Sequence, residues 1–238
     1  NAARVSYAGR SNEVTSDDEK LIDYLMRNEH TTPFEMPEVL FRIKAPIFVT
    51  RQFMRHRTWS YNEVSLRYVD APNEYYVPDT LRGKPKNNKQ GSSGIIEGEL
   101  SEAALESFLD SVESSIKSYE YLQHLGVANE MARMVLPVCQ MTEFYAKVDL
   151  RNFLHFLKLR MDPHAQQEIR ELANQMHDAV QPYFPVTFKA WSSQVLKSSK
   201  FTENELEIIN SALDLTEVRK NYDARTVRVL FEKLGTKE

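Results

Sequence analysis

The 238-residue sequence predicts an α/β protein: a single helix-rich domain on a small central sheet, with a helical appendage at the C-terminus. Apolar residues recur at helical spacing over several long segments, whereas alternation with a period of two is confined to short runs. Hydrophobic residues make up 42% and charged residues 27% of the chain, a globular balance with ample length for a core without staples. No internal repeat or Gly/Ser/Pro-rich linker separates two folded halves. The domain is therefore assigned to 1–196 and the extension, of unassigned role, to 197–238.

Asp17–Asn28 reads as the first helix, with Ser16 as its cap and Leu21, Ile22, Leu25 and Met26 as its apolar stripe. His30–Glu35 reads as a break, because Pro33 disfavours helix at Thr32. Val39–Ala45 alternates as a strand, with Val39, Phe41 and Ile43 on one face. Pro46 suits the first turn of a helix running to about His56. Past a loop, Glu74–Val77 is a candidate short strand. Arg82–Gly94 is polar, basic and glycine-bearing, which predicts a mobile surface loop rather than a binding site. Leu100–Leu125 and Ala128–Leu136 read as helices, the second stopped by Pro137. A strand is expected at Phe144–Val148, then helices over Arg151–Leu159 and Pro163–Gln181 and a shorter one after Pro185. From Phe201 onward come a polar helix and a terminal segment of mixed charge. Basic and acidic residues are equal in number after Leu196, so the extension carries no electrostatic hint of a partner.

Composition narrows the function. A net charge of −4 argues against a general nucleic-acid coat protein. The single cysteine, Cys139, excludes an internal disulfide framework and fits a reducing compartment. Beside Pro137 and Val138 it reads as buried rather than reactive. No apolar run approaches the roughly 18 residues that span a bilayer, and Asn1–Ser6 has no signal core. The expectation is a soluble, cytoplasmic protein with no membrane partner. The histidines form no H-E-x-x-H, so no metal is expected. Only seven glycines occur, and neither G-x-G-x-x-G nor G-x-x-x-x-G-K-[ST] is present. Any phosphate must then be held by arginines or ordinary helix N-termini.

Chemistry concentrates in Arg51–Tyr68, which holds four arginines, one histidine and one acid, Glu63. On a helix from Pro46, Arg51 and Arg55 share a face, as do Gln52 and His56. Its end would present Arg55, His56 and Arg57 beside a loop of serines, Asn62 and Glu63. Guanidinium forks suit phosphate, but a solvated basic face would look the same. Trp59, Tyr61 and Tyr68 could also stack single-stranded nucleic acid. The density of amides and hydroxyls favours an oriented small ligand. Spacing takes the reading only to an anionic ligand.

The residue order goes further. Arg55 to Tyr68 fills every specified position of R-H-R-x-x-S-x-N-E-x-S-x-R-Y, and in this the sequence resembles the flavin-dependent thymidylate synthases. The likeness runs from Ala3 to about Trp191, through His30–Glu35, Ala45–Val49, Ala132–Pro137 and Leu159–Gln166. It implies that family's fold and the reductive methylation of dUMP to dTMP. Methylenetetrahydrofolate would supply carbon, NADPH reducing equivalents, and FAD would carry the hydride. It also implies a homotetramer whose active sites are shared between subunits.

Carried over residue by residue, the resemblance implies FAD contacts at Ser6, Arg55, His56, Arg57 and Glu63. Asp149, Leu150, Arg151 and His155 would add contacts from another subunit. It implies dUMP contacts at Gln52, Arg55, Glu63, Val64, Ser65, Leu66, Arg67, Arg133 and Arg160, with Val64 and Leu66 limited to their backbones. Some relatives carry Asn at the Asp149 and His155 positions and glycine at that of Leu66. Arg160 is the implied catalytic residue: a guanidinium near N3 of uracil favours the anionic ring and so strengthens C5 as a nucleophile. Two further readings stay open. One is a related flavoprotein that oxidises NADPH without methyl transfer, and the other is a single-stranded nucleic-acid-binding module.

Overall fold

A three-stranded antiparallel sheet organises the larger of the two compact units into which the chain falls, Asn1–Leu196 and Lys197–Glu238. The computed structural model describes residues 1–7, 13–86, 91–213 and 215–234. Strand β1 (Glu38–Pro46) leads into helix α3 (Ile47–Phe53), and β2 (Ser60–Glu63) follows the turn after it. Strand β3 (Met141–Asp149) lies between the other two, giving the order β1-β3-β2. Phe41 and Tyr61 both face Ala146 across it, and Ile43 and Glu63 both face Phe144. The inner face, with Ile43, Phe144, Ala146 and Val148, is buried against residues of α3, α6 (Leu150–Arg160), α7 (Gln167–Val180) and α8 (Pro185–Trp191). The outer face alternates to polar groups, as one-sided burial requires. There Arg42 pairs with Glu143 at 2.7 Å and Lys147 with Glu38 at 2.9 Å.

The centre of this core is Phe53, fully buried at the end of α3. The rings of Phe156, Trp59, Phe144 and Tyr61 lie 4.8, 4.9, 5.5 and 6.0 Å from it, three of them edge-on. Edge-to-face contact sets the positive rim of one ring against the negative face of another, so the cluster adds directional attraction to burial.

Several elements differ from expectation. Helix α1 (Ser16–Arg27) is capped by Thr15, not Ser16, in a reciprocal capping box with Asp18. The expected break contains one helical turn, α2 (Thr32–Glu35); Pro33 sits in its first turn, where a missing N–H costs nothing. Helix α3 stops at Phe53, three residues short of His56. The polar tetrapeptide Ser60–Glu63 is a strand, whereas Glu74–Val77 contributes only an isolated bridge from Tyr75 to Gln140. Helix α4 (Glu99–His124) appears as expected, but Ala128–Leu136 divides into α5 (Asn129–Ala132) and a 3-10 turn, Arg133–Val135. Strand β3 is longer than Phe144–Val148, and α7 begins at Gln167 rather than Pro163. The base of the segment expected to be mobile is a paired stem: Arg82 bridges Ile95, and Gly83 N–H donates to the Gly94 carbonyl at 3.0 Å. Residues 87–90 of that segment lie outside the described residues.

Among its described residues the second unit holds three helices where one was expected: α9 (Glu203–Ala212), α10 (Leu215–Asn221) and α11 (Ala224–Leu234). A capping box between Thr202 and Glu205 starts α9. Val227 and Phe231 of α11 are buried, and the Arg219 guanidinium lies 5.3 Å from the Phe231 ring. Among the described residues no helix is long and apolar enough to cross a membrane.

Phe53→Ala removes the ring on which four others converge. It should lower the unfolding free energy by about 3–5 kcal/mol, read as a fall in urea midpoint at constant m-value.

Candidate functional site

The turn after α3 owes its shape to the aromatic core beneath it. Trp59 is buried, 6% exposed, and Tyr61 on β2 reaches back beneath the turn. The Tyr61 hydroxyl donates to the His56 carbonyl at 2.8 Å. This staple ends the helix early and holds Arg55-His56-Arg57 as a loop over the core. Arg55 and Arg57 are exposed and His56 is half-buried between them. The same packing removes two of the three rings considered for base stacking, since Trp59 faces the core and Tyr61 is half-buried beneath the turn.

Helix α6 supplies the opposing wall. Asp149 caps it, its carboxylate accepting from the Asn152 N–H at 2.9 Å and from Asn152 Nδ2 at 2.7 Å. Leu150, Phe153, Leu154, Phe156 and Leu157 are buried, which turns Arg151, His155 and Lys158 outward together. Arg160 follows at the C-terminal end. Its Nε donates to His56 Nε2 at 2.9 Å and its Nη2 to the Gln52 carbonyl at 3.1 Å. Nη1 has no hydrogen-bond partner among the described residues.

Between the turn and α6 lies a cleft of about 680 Å³. Its cationic lining is Arg55, Arg57, Arg151, Lys158 and Arg160, joined by His30, His56 and His155. Leu25 and Met26 of α1, Phe34 of α2 and Trp191 of α8 form an apolar side. A charged rim beside an apolar wall is suited to a flat heterocycle carrying phosphate. Of the residues singled out from sequence, Arg55, His56, Arg57, Arg151, His155 and Arg160 meet here.

The others stand apart. Glu63 accepts from Thr142 Oγ1 at 2.7 Å, and the Val64 N–H donates to the Glu143 carbonyl at 2.9 Å. Ser65 Oγ accepts the Arg67 N–H at 3.3 Å, Leu66 is half-buried, and Arg67 pairs with Glu130 at 3.0 Å. Arg133 is exposed in the turn after α5. The Gln52 side chain donates to Gln166 at 2.6 Å, so only its carbonyl reaches Arg160. Leu150 is 1% exposed, its N–H donates to the Pro37 carbonyl, and it does not line the cleft. The side chain of Ser6 lies outside the described residues.

Sequence reasoning missed Lys158 and the apolar wall. Lys158 was readable, lying three and seven residues beyond His155 and Arg151 on one helical face. The wall was not, because Leu25 and Trp191 belong to unconnected segments with ordinary core patterns. Among the described residues no group of three or more His, Cys, Asp or Glu could hold a metal ion.

A model of the family described as thymidylate synthase complementing protein matches residues 1–186. The chain is 45% identical over 212 residues to a flavin-dependent thymidylate synthase of Thermus thermophilus, covering 89% of this chain and 77% of that protein. A flavin-dependent thymidylate synthase of Wolbachia pipientis is 44% identical over 214 residues, 89% and 75% of the two chains. Among solved structures, the fold is similar to the UMP/dUMP methylase PolB from Streptomyces cacaoi bound with 5-Br dUMP. That match has a TM-score of 0.72 at 38% identity and covers 81% of this chain and 88% of the other. The same methylase bound with 5-Br UMP gives a TM-score of 0.75 at 34% identity, covering 83% and 90%.

Burial, then the charges of Arg160 and His155, pushes the His56 imidazole down to about 4. His56 is therefore neutral at pH 7, with Nε2 free to accept from Arg160 and the proton on Nδ1. The unfolded chain, with an ordinary value near 6.5, binds more protons between the two values. This group's contribution to stability is thus complete above about pH 6.5 and lost as pH falls through about 4. NMR titration should place the His56 midpoint near 4, and His56→Gln should flatten the stability profile over that window.

Proposed function

The chain belongs to the flavin-dependent thymidylate synthase family and is an enzyme of that type, and on that premise we propose that it reductively methylates dUMP to dTMP. In this reading methylenetetrahydrofolate is the carbon donor, NADPH the reductant and FAD the cofactor. The observation that carries it is the His56–Arg160 pair on the floor of a cationic cleft built from the motif turn and α6.

The donor set fits a flavin dinucleotide. Arg55, Arg57, Arg151 and Lys158 offer charge-assisted donors to a diphosphate, and the apolar side offers a face to a planar ring. FAD, when bound, supplies the two-electron chemistry. His56, His155, Leu150, Ser6 and Glu63 complete the proposed FAD set, of which His56 and His155 line this cleft. Asp149 accepts from Asn152 through both carboxylate oxygens and keeps further acceptor capacity for its proposed contact.

Arg160 does the work on the pyrimidine. Neutral His56 and the Gln52 carbonyl hold Nε and Nη2, which leaves Nη1 to meet N3 and its adjacent carbonyl. A fixed positive charge there favours the ring anion and raises the nucleophilicity of C5. Burial lowers the Arg160 guanidinium below its ordinary value, but it stays charged at neutral pH. Ser65 is a binding residue rather than a nucleophile, because its hydroxyl accepts a backbone N–H and has no base beside it. No enzyme–substrate bond is required.

Gln52, Glu63, Val64, Ser65, Leu66, Arg67 and Arg133 complete the dUMP set in the proposal. Most of them lie away from the cleft of their own subunit, which supports sites shared between subunits and a homotetramer. The proposed location is the cytoplasm, in keeping with one buried thiol pushed up by burial.

Purified protein should turn yellow with FAD, and Arg160→Lys should keep that spectrum while losing most dTMP formation, because lysine lacks the planar fork. NADPH oxidation without dTMP from the unaltered protein would instead favour the oxidase reading. Light scattering should return four times 27.7 kDa; an active species at 27.7 kDa would refute shared sites.

A further inference from the structure

Arg82 opens the basic segment expected to be a solvent-facing loop, yet its side chain is largely covered. It is 22% exposed, and its partner Glu168 is 7% exposed. Nη2 donates to Glu168 Oε1 at 2.5 Å and Nη1 to Gln167 Oε1 at 2.6 Å. The Tyr76 hydroxyl donates to the same Glu168 oxygen at 3.3 Å. Glu168 Oε2 is buried without a direct partner, so Arg82 is what balances this carboxylate. Burial pushes the Glu168 carboxyl up, but hydrogen bonds from Arg82, the Glu168 backbone and the Gln166 side chain together outweigh it and hold the group below its ordinary value.

A buried pair of this kind contributes little net stability against well-packed apolar residues, and breaking it is costly. What it does well is fix geometry. Gln167 and Glu168 form the first turn of α7, and Ile169 beside them is fully buried. The residue just before that turn, Gln166, accepts from the Gln52 side chain at 2.6 Å. The carbonyl of Gln52 in turn accepts from Arg160. At the other end, the Arg82 backbone is set in the stem with Ile95, where the Ile96 N–H donates to the Leu81 carbonyl at 2.8 Å.

We propose that Arg82 and Glu168 are positioning residues for Arg160. They clamp the start of α7 so that Gln166 and Gln52 hold the guanidinium in one orientation against His56. The stem of the 82–96 segment thereby governs the floor of the cleft without touching it. This inference rests on the assignment of Arg160 to the pyrimidine, but the clamp itself can be read without any reaction.

The test uses the FAD-loaded protein of residues 1–238 and three variants. Arg82→Lys keeps the charge and loses the fork; Glu168→Gln keeps the shape and loses the charge. Gln166→Ala removes the exposed bond to Gln52 and keeps both Arg82 and Glu168, so it serves even if the other two fold poorly. Each should change kcat or the KM for dUMP in dTMP formation by about tenfold, within the range of coupling that such networks carry. FAD affinity and NADPH oxidation without dUMP should stay within about twofold. The His56 midpoint should move up from about 4 as the charge of Arg160 loosens from its ring. Arg82→Lys with Glu168→Gln should be no worse than either alone, the mark of one shared contact. Lowered melting temperatures with kinetics and His56 titration unchanged would show a purely structural clamp and overturn the inference. Arg160→Lys run alongside separates the failures. If it leaves dTMP formation intact, the reading of the site is wrong; if it abolishes it while the three variants behave as the unaltered protein, the clamp is wrong.

Discussion

The hydrogen bond from Arg160 Nε to His56 Nε2 is the contact around which both walls of the cleft are arranged. It requires an acceptor nitrogen, and so a neutral imidazole, beside a permanent cation. Burial meets that requirement by making protonation of His56 costly at any physiological pH. The aromatic core beneath is therefore part of the electrostatics. Phe156 lies 4.9 Å from the His56 ring, edge to face, and excludes the water that would otherwise solvate an imidazolium.

The same core explains how a short, arginine-rich segment keeps one shape without a glycine-rich frame. Phe53 ends α3, Trp59 plugs the turn from below, and Tyr61 ties the turn's own carbonyl to the sheet. Each uses an apolar ring for position and, in Tyr61, a polar tip for direction. Arg55 and Arg57 can then face a ligand as free donors, because neither is spent on holding the loop. Rigidity is supplied from behind and charge is presented in front.

Much of this was legible in the sequence. The inward residues of β1, the span of α6 to within one residue at each end and the burial of Cys139 follow from periodicity and composition, whereas Arg151, His155 and Arg160 were singled out by the family resemblance. Of the residues assigned to the flavin, Arg55, His56 and Arg57 of the turn and Arg151 and His155 of α6 line one cleft. What failed was read locally. Ser60–Glu63 is too short and too polar to show alternation, and it is a strand only because β3 offers it an edge. Arg82 sits in a stretch whose composition signals solvent, and only Glu168, 86 residues away, gives it a buried partner. Pairings at that distance leave no periodic trace.

The sheet also has a history in time. Strands β1 and β3 meet across a gap of 101 residues at Arg42 and Glu143, and among the described residues β2 pairs only with β3. Closing so long a loop costs entropy before any ladder bond compensates it, so pairing of this kind is slow among small domains. On the ribosome, β1, α3 and the arginine-rich turn must wait until β3 and then Phe156 of α6 have emerged before the ring cluster around Phe53 can close. For that interval Phe41, Phe53 and Trp59 lack the strand that buries them. The first third of the chain is the portion most exposed to aggregation during synthesis, and the arrival of the central strand and then α6 is what ends that exposure.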